Sequence, residues 1–171
     1  EFWWETDMDN NQISTIPPDI ARLANLERLD LAQNFVSRIA PEIGELHKLR
    51  YLNLRNNYLT ELPETIGALQ ALEILDLSYN QLSRLPAAIG ALHNLRELYL
   101  NSNALHALPP ELCGLPNLQV LDLGNYDKGR IWTDTEERYS LVRNCLSRLP
   151  ECIGELEHLR TLNLEHNRFT E

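Results

Sequence analysis

The chain has 171 residues, 43% of them apolar, and a formal net charge of −10 at pH 7. This length and apolar content can bury a continuous core, whereas the acidic balance repels phosphates and disfavours nucleic acid as a partner. No stretch of about 18 apolar residues exists for a membrane span, and no charged and then apolar leader precedes a cleavage site. We therefore expect a soluble chain that binds neither nucleic acid nor membrane.

A leucine recurs every 23 residues, at Leu26, Leu49, Leu72 and Leu95, and Leu118 closes the series. Each copy repeats one pattern, which in the third copy reads Leu49-x-x-Leu52-x-Leu54-x-x-Asn57-x-Leu59-x-x-Leu62-Pro63-x-x-Ile66-Gly67-x-Leu69. A decayed first copy includes Trp3, Thr6, Met8 and Asn11, and a last copy reaches Leu159, Leu162, Leu164 and Asn167. A fixed period of this size indicates a solenoid. We predict a single domain over 1–171 with about seven repeats, the first and last incomplete.

Each copy predicts the same local structure. Leu52 and Leu54 alternate with polar residues, which indicates a short strand with one buried face and, copy after copy, a parallel sheet. The recurring asparagine, such as Asn57, is placed to bond backbone groups of adjacent turns. The following proline, such as Pro63, suits the first position of a short helical turn. The predicted fold is an α/β repeat solenoid, with a parallel sheet on one side and short helical or 3-10 turns on the other.

One insertion breaks the period. Leu118 and Leu159 are 41 residues apart, one period of 23 plus 18, and residues 126–143 share nothing with the repeat. We expect this insertion to emerge near the rim of the concave face, with a short helix over about 134–143 after a capping box. Three interpretations stay open: a second wall of a binding site that carries Trp132, a loop without a partner, and non-coding sequence translated in frame.

The three cysteines are Cys113, Cys145 and Cys152. They form no CxxC pair and no cluster at either end of the chain. This odd number and spacing favour a reducing, intracellular setting. A bridge between Cys145 and Cys152 stays open as the less favoured alternative.

The copies with Leu-Pro-x-x-Ile-Gly-x-Leu resemble the intracellular leucine-rich repeats of the Ras-suppressor and scribble type, a style that plant Ras-group repeat proteins and bacterial effectors share. The resemblance covers nearly the whole chain. It implies a curved horseshoe with the parallel sheet on the concave face and the short helical or 3-10 turns on the convex face. The resemblance further implies that the concave sheet, or an adjoining rim, binds a partner protein. It also implies a cytoplasmic location, or a secreted effector that acts inside a host cell. The partner is not implied, because the motif residues are scaffold residues.

Specificity must therefore lie in the variable positions of the concave face. Its three columns hold eight carboxylates and two cations, which are Glu5, Asp7, Asp9, Asp30, Asp76, Glu97, Asp122 and Glu165 against Arg28 and Arg55. This acidity either keeps a long solenoid soluble or surrounds aromatic anchors that bind a basic segment of a partner protein. The predicted binding residues are Tyr51, Asn53, Arg55, Ile74, Asp76, Tyr79, Glu97, Tyr99, Asp122 and, on the insertion, Trp132.

The search for catalytic or metal-binding patterns is negative. The five histidines are scattered without a metal-ligand spacing, and Asp134, Glu136 and Glu137 match no calcium loop. The sequence predicts a non-enzymatic protein-interaction module without cofactor or metal. Two alternatives stay open: the substrate-recognition domain of a larger enzyme or effector, such as a ubiquitin ligase, and a structural protein that self-associates end to end.

Overall fold

The computed structural model describes residues 5–7, 11–126 and 142–170. Its strands are β1 (Glu5–Asp7), β2 (Thr15–Ile16), β3 (Arg28–Asp30), β4 (Arg38–Ile39), β5 (Tyr51–Asn53), β6 (Ile74–Asp76), β7 (Glu97–Tyr99), β8 (Val120–Asp122) and β9 (Thr161–Asn163). Seven of these strands form one parallel sheet in the order β1-β3-β5-β6-β7-β8-β9, and β2 pairs with β4 in a second small sheet. The predicted parallel sheet, with one strand per turn, is confirmed.

Short 3-10 helices carry the chain back along the convex side. They span Pro18–Arg22, Pro41–Glu45, Glu64–Ala68, Ala87–Ala91, Pro110–Gly114 and Glu151–Glu155. The prediction for the repeat proline was wrong by one position, because Pro63 precedes the helix in an extended conformation with φ −68° and ψ 147°. The fixed φ of proline suits that extended residue equally well. Within the described residues, no helix combines the length and apolar character needed to cross a bilayer.

The core runs lengthwise between the sheet and the 3-10 helices. Leu49, Leu72, Leu95 and Leu118 are fully buried, and they belong to one cluster that extends through every turn from Ile16 to Leu156. The last turn is less covered, since Leu159 and Leu164 are only partly buried and Leu162 is 39% exposed. Most of the apolar burial that stabilises the chain therefore lies in the middle turns.

The repeat asparagines form a ladder inside the turns. The side-chain oxygen of Asn80 accepts a hydrogen bond from the backbone amide of Leu59 at 2.9 Å. The side-chain nitrogen of Asn80 donates to the backbone carbonyl oxygens of Leu54 at 2.9 Å and Leu77 at 3.1 Å. Asn57, Asn103, Asn144 and Asn167 make the equivalent bonds. The predicted role of these residues is confirmed, because each satisfies buried backbone groups of two adjacent turns.

The insertion starts where the other turns make a left-handed corner. The residue before the repeat asparagine has φ near 55° in five turns, at Gln33, Asn56, Tyr79, Ser102 and His166. Asn125 holds the same position but has no positive φ, so its backbone does not make the left-handed corner. Asn125 and Asn144 nevertheless clasp each other, because the Asn144 amide donates to the Asn125 side chain at 2.8 Å and the Asn125 side chain donates to the Asn144 carbonyl at 3.0 Å.

The cysteines pair differently from the alternative considered above. Cys113 and Cys152 form a disulfide with their Cα atoms 5.9 Å apart, whereas Cys145 is a free thiol. The bridge between Cys145 and Cys152 is therefore wrong. Cys145 does not pair with Cys152 because it follows the repeat asparagine Asn144, whereas Cys113 and Cys152 lie on adjacent 3-10 helices of the convex side.

Candidate protein-binding site

The concave face is lined by two columns of side chains that project from the strands. The first runs through Arg28, Tyr51, Ile74, Glu97, Val120 and Thr161, and the second through Asp30, Asn53, Asp76, Tyr99, Asp122 and Asn163. The register predicted from the 23-residue period is confirmed. Neighbours within a column lie on adjacent strands, so they are about 4.8 Å apart along the sheet.

Tyr51 and Asn53 belong to a closed cluster around Asp30. The Arg28 guanidinium lies over the Tyr51 ring, 3.6 Å from its centroid, and donates to Asp30 Oδ2 at 3.2 Å. The Tyr51 hydroxyl and the Asn53 amide donate to the same oxygen at 3.4 and 3.1 Å. Burial is the main cause that raises the pKa of Tyr51, followed by the Asp30 charge. At this end of the face, the Asp30 carboxylate is therefore neutralised by Arg28 and hydrogen-bonded by Tyr51 and Asn53.

Arg55, just after β5, and Tyr79, just after β6, form a second cation–π pair. The Arg55 guanidinium is 4.8 Å from the centroid of the Tyr79 ring. Tyr79 occupies the left-handed corner with φ 55°, a conformation that a bulky side chain seldom adopts. Ile74 is half-buried between Tyr51 and Glu97 in the first column. Ile74 therefore lies in the column where the sequence placed it, and the part of Arg55, Ile74 and Tyr79 in binding stays a prediction.

The carboxylates and amides of the second column also have a structural role, which sequence reasoning missed. The side-chain oxygen of Asp76 accepts the amide of Ser78 at 2.9 Å, and equivalent bonds close the strand ends in four other turns, at Asp30, Asn53, Asp122 and Asn163. Such Asx turns satisfy an amide beyond the strand. The signal was present in the sequence, because Asp or Asn recurs at this position in every described turn but one.

Tyr99 is that exception and lies at the centre of the face. Its neighbours in the column are Asp76 on one side and Asp122 on the other, and its hydroxyl donates to Glu97 Oε2 at 2.8 Å. Burial, the Glu97 hydrogen bond and the charges of Glu97, Asp76 and Asp122 raise the pKa of Tyr99 to about 12. Each of the three carboxylates therefore contributes to a negative potential around a half-exposed aromatic ring.

Tyr126 extends this group, although it was not among the predicted binding residues. Its hydroxyl donates to Asp122 Oδ2 at 2.9 Å and accepts from the Asn163 amide at 2.8 Å, while 43% of the residue is exposed. Burial, then the hydrogen bond and charge of Asp122, raise its pKa. Tyr126 is the first residue of the insertion, and its hydroxyl lies on the concave face between Asp122 and Asn163. Trp132 lies outside the described residues.

The face is consequently divided in its electrostatics. Arg28 and Arg55 lie beside Asp30, Tyr51 and Tyr79 in the first half. From β6 to β9, none of the described residues in the strand columns is Lys or Arg, and the carboxylates are Asp76, Glu97 and Asp122, with Glu165 just beyond β9. We call this second half, with Tyr99 and Tyr126, the acidic half. These carboxylates give the acidic half a negative electrostatic potential.

One short strand per turn, a buried asparagine ladder and 3-10 return helices define a solenoid of stacked leucine-rich turns. The chain belongs to the leucine-rich repeat family: a family model described as a leucine-rich repeat region matches residues 38–136, and a second, described as leucine rich repeat, matches residues 7–59. Domains of this family are generally non-enzymatic scaffolds for protein interaction. No curated protein matches the chain.

Solved structures of the same fold come from bacteria and plants. A leucine-rich repeat protein of Leptospira interrogans is 34% identical over 96% of this chain and 43% of that one, with a TM-score of 0.66. The ectodomain of the Arabidopsis thaliana receptor kinase GASSHO1/SCHENGEN3, solved in complex with CASPARIAN STRIP INTEGRITY FACTOR 2, is 29% identical over 94% of this chain and 18% of that one, with a TM-score of 0.76. The plant peptide hormone receptor RGFR1, in complex with RGF2, is 31% identical over 95% of this chain and 28% of that one, with a TM-score of 0.71. The chain thus spans less than half the length of each of these proteins.

Proposed function

We propose that the chain is a protein-interaction module that binds a basic segment of a partner protein on the acidic half of its concave face. The observation that carries this proposal is the position of Tyr99, between Asp76 and Asp122 in one column and hydrogen-bonded to Glu97. Aromatic side chains at the centre of a polar surface are where protein interfaces concentrate their binding energy.

The first half of the face supports the choice of a basic partner. There, the chain's own Arg28 covers Tyr51 and Arg55 covers Tyr79. In the acidic half, Tyr99 has carboxylates around it, and the described columns supply no Lys or Arg. A guanidinium or ammonium group from a partner would meet the same combination of ring and carboxylate.

Two similar plant receptors support a peptide-like partner, because one was solved in complex with CASPARIAN STRIP INTEGRITY FACTOR 2 and the other, a peptide hormone receptor, in complex with RGF2. The expected location inside a cell stays a prediction, as does attachment to a larger enzyme. End-to-end self-association also stays a prediction.

The test is a selection from a random peptide library displayed on phage, with the immobilised chain as the target. The variant Glu97→Gln/Asp122→Asn removes two charges from the face. Glu97→Gln keeps an oxygen for the Tyr99 hydroxyl. Asp122→Asn keeps one for the Gly124 amide, while its side-chain nitrogen faces the Tyr126 hydroxyl in place of the second carboxylate oxygen. The matched control is Glu64→Gln/Glu151→Gln, which removes the same charge from two 3-10 helices of the convex side. Fluorescence anisotropy then gives Kd for each selected peptide at low and high salt.

We expect the selected peptides to be rich in Arg and Lys. Their Kd should rise about five- to thirtyfold on the concave double variant, because two partly buried charge pairs are lost, and it should change less than about twofold on the control. Peptides without basic residues, or an equal loss on both variants, would remove the acidic half as the binding site.

A further inference from the structure

One junction between adjacent turns differs from the others in both of its contacting residues. The repeat glycines Gly44 and Gly67 face Thr65 and Ala88 of the next turn, at distances that leave no room for a side chain. In the penultimate described turn Cys113 takes the glycine's place, and the residue it faces on the next turn is Cys152. Both members of one contact are therefore cysteines, and they are bonded to each other.

The same junction contains the insertion. Gly44 and Thr65 are 21 residues apart, as are Gly67 and Ala88, whereas Cys113 and Cys152 are 39 residues apart. The difference of 18 residues is the length of segment 126–143. Closing a longer loop costs more conformational entropy. Without a cross-link, the last turn is thus held by a longer tether than the other turns.

The last turn also has less apolar burial to hold it in place. Leu162 is 39% exposed, and Ile153 and Leu159 are only partly buried against the core. Its backbone amides depend on the preceding turn, since Arg160 and Thr161 both donate to the Gln119 carbonyl, at 2.8 and 3.0 Å. Regions with few buried apolar contacts open locally at low free energy.

We propose that the Cys113–Cys152 bond is a redox-sensitive clip that holds the last turn, residues 150–170, on the solenoid. When the bond is intact, β9 stays paired with β8 and completes the edge of the acidic half. When it is reduced, the last turn opens locally while the earlier turns stay folded. Cys145, which lies on the asparagine side of the turn, takes no part in the clip.

The reduction is ordinary thiol–disulfide exchange with a dithiol. One thiolate of dithiothreitol attacks a cysteine sulfur, the other cysteine leaves as a thiolate, and the second thiol of the reagent resolves the mixed disulfide. The clip gains two electrons and two protons, and the reagent is oxidised to its cyclic disulfide. Both cysteines are only partly buried on the convex side, so the reagent can reach them.

The experiment is hydrogen–deuterium exchange with mass spectrometry on the whole chain, with and without dithiothreitol. On reduction, we expect the protection of the Arg160, Thr161 and Arg168 amides to fall roughly 30- to 1,000-fold, which is the effect of losing a disulfide of this loop size. The Glu73 and Ile74 amides, which donate to the Arg50 carbonyl, should change less than about threefold and serve as the internal reference.

Two variants complete the test. Cys113→Gly/Cys152→Ala recreates the Gly67 and Ala88 pair of a normal junction and should make exchange insensitive to the reductant, whereas Cys145→Ala should respond like the wild type. Equal protection of the last turn with and without reductant overturns the proposal, and so does a loss of protection throughout the chain. If the double variant does not fold, the comparison of the wild-type chain with and without dithiothreitol still tests the proposal. None of these exchange measurements depends on partner binding, so they test the clip separately from the proposed function.

Discussion

Replacing Gly67 with Ala should destabilise the chain, although alanine is ordinarily the better residue in a helix. An added Cβ at Gly67 would lie 2.5 Å from the Ala88 carbonyl oxygen and 2.9 Å from the Ala88 Cβ. Both atoms belong to the stacked 3-10 helix Ala87–Ala91 and cannot rotate away as the end of a long side chain can. The two helices must therefore move apart.

The expected loss of stability combines two opposing effects. Overpacking of this kind costs about 1–3 kcal/mol. Removing the backbone freedom of glycine from the unfolded chain returns about 0.4–1 kcal/mol. The net destabilisation should be about 1–2 kcal/mol, which corresponds to a fall in Tm of roughly 2–8 °C for a chain of this size.

Gly154 provides the matched control, because it has the same place in the repeat but nothing lies within 4 Å of its added Cβ. Its φ is not positive, so alanine fits the backbone. Gly154→Ala should keep or raise the free energy of unfolding, by up to about 1 kcal/mol. Urea unfolding followed by circular dichroism compares both variants with the wild type. Equal shifts of the midpoint for Gly67→Ala and Gly154→Ala would refute the steric argument.

Three further predictions follow from the geometry. Burial, as the main cause, raises the pKa of Asp76. The folded chain therefore holds the Asp76 proton more tightly than the unfolded chain, and the free energy of unfolding falls as pH rises through the range in which Asp76 ionises. Asp76→Asn should raise Tm at pH 7 and lose this gain near pH 4, and an equal gain in Tm at both pH values would contradict the prediction. Deleting residues 126–143 joins Asn125 to Asn144, which are already hydrogen-bonded to each other. The shorter loop should keep the stability of the oxidised chain or raise it by up to about 0.5 kcal/mol, and a large fall in Tm would show that the insertion is part of the core. Asn80→Ala leaves the buried Leu59 amide unsatisfied, whereas the Leu54 and Leu77 carbonyls keep their hydrogen bonds from Asn57 and Asn103. The variant should therefore cost about 1–3 kcal/mol, and a urea midpoint near the wild type would show that water replaces the side chain.

The candidate site shows how far a repeat can be interpreted from sequence. The 23-residue period fixes which side chains share a face, so the predicted columns through Tyr51 and Asn53 match the strand pairing. The period says nothing of which partner a polar group has within its own chain. Two contacts depend on side-chain conformations that the period does not specify. The Arg28 guanidinium lies over the Tyr51 ring of the next turn, and the Tyr126 hydroxyl donates to Asp122.

By itself, the sequence determined the solenoid, its sheet register, the asparagine ladder and the place where the insertion interrupts the period. These follow from local spacing, because every turn repeats the same contacts with its neighbours. Only the tertiary structure decided that Cys113 bonds to Cys152 and that the Tyr99 hydroxyl is hydrogen-bonded to Glu97. Residues 39 apart in the chain become neighbours through the stacking of turns, and only the structure shows which positions of adjacent 3-10 helices face each other.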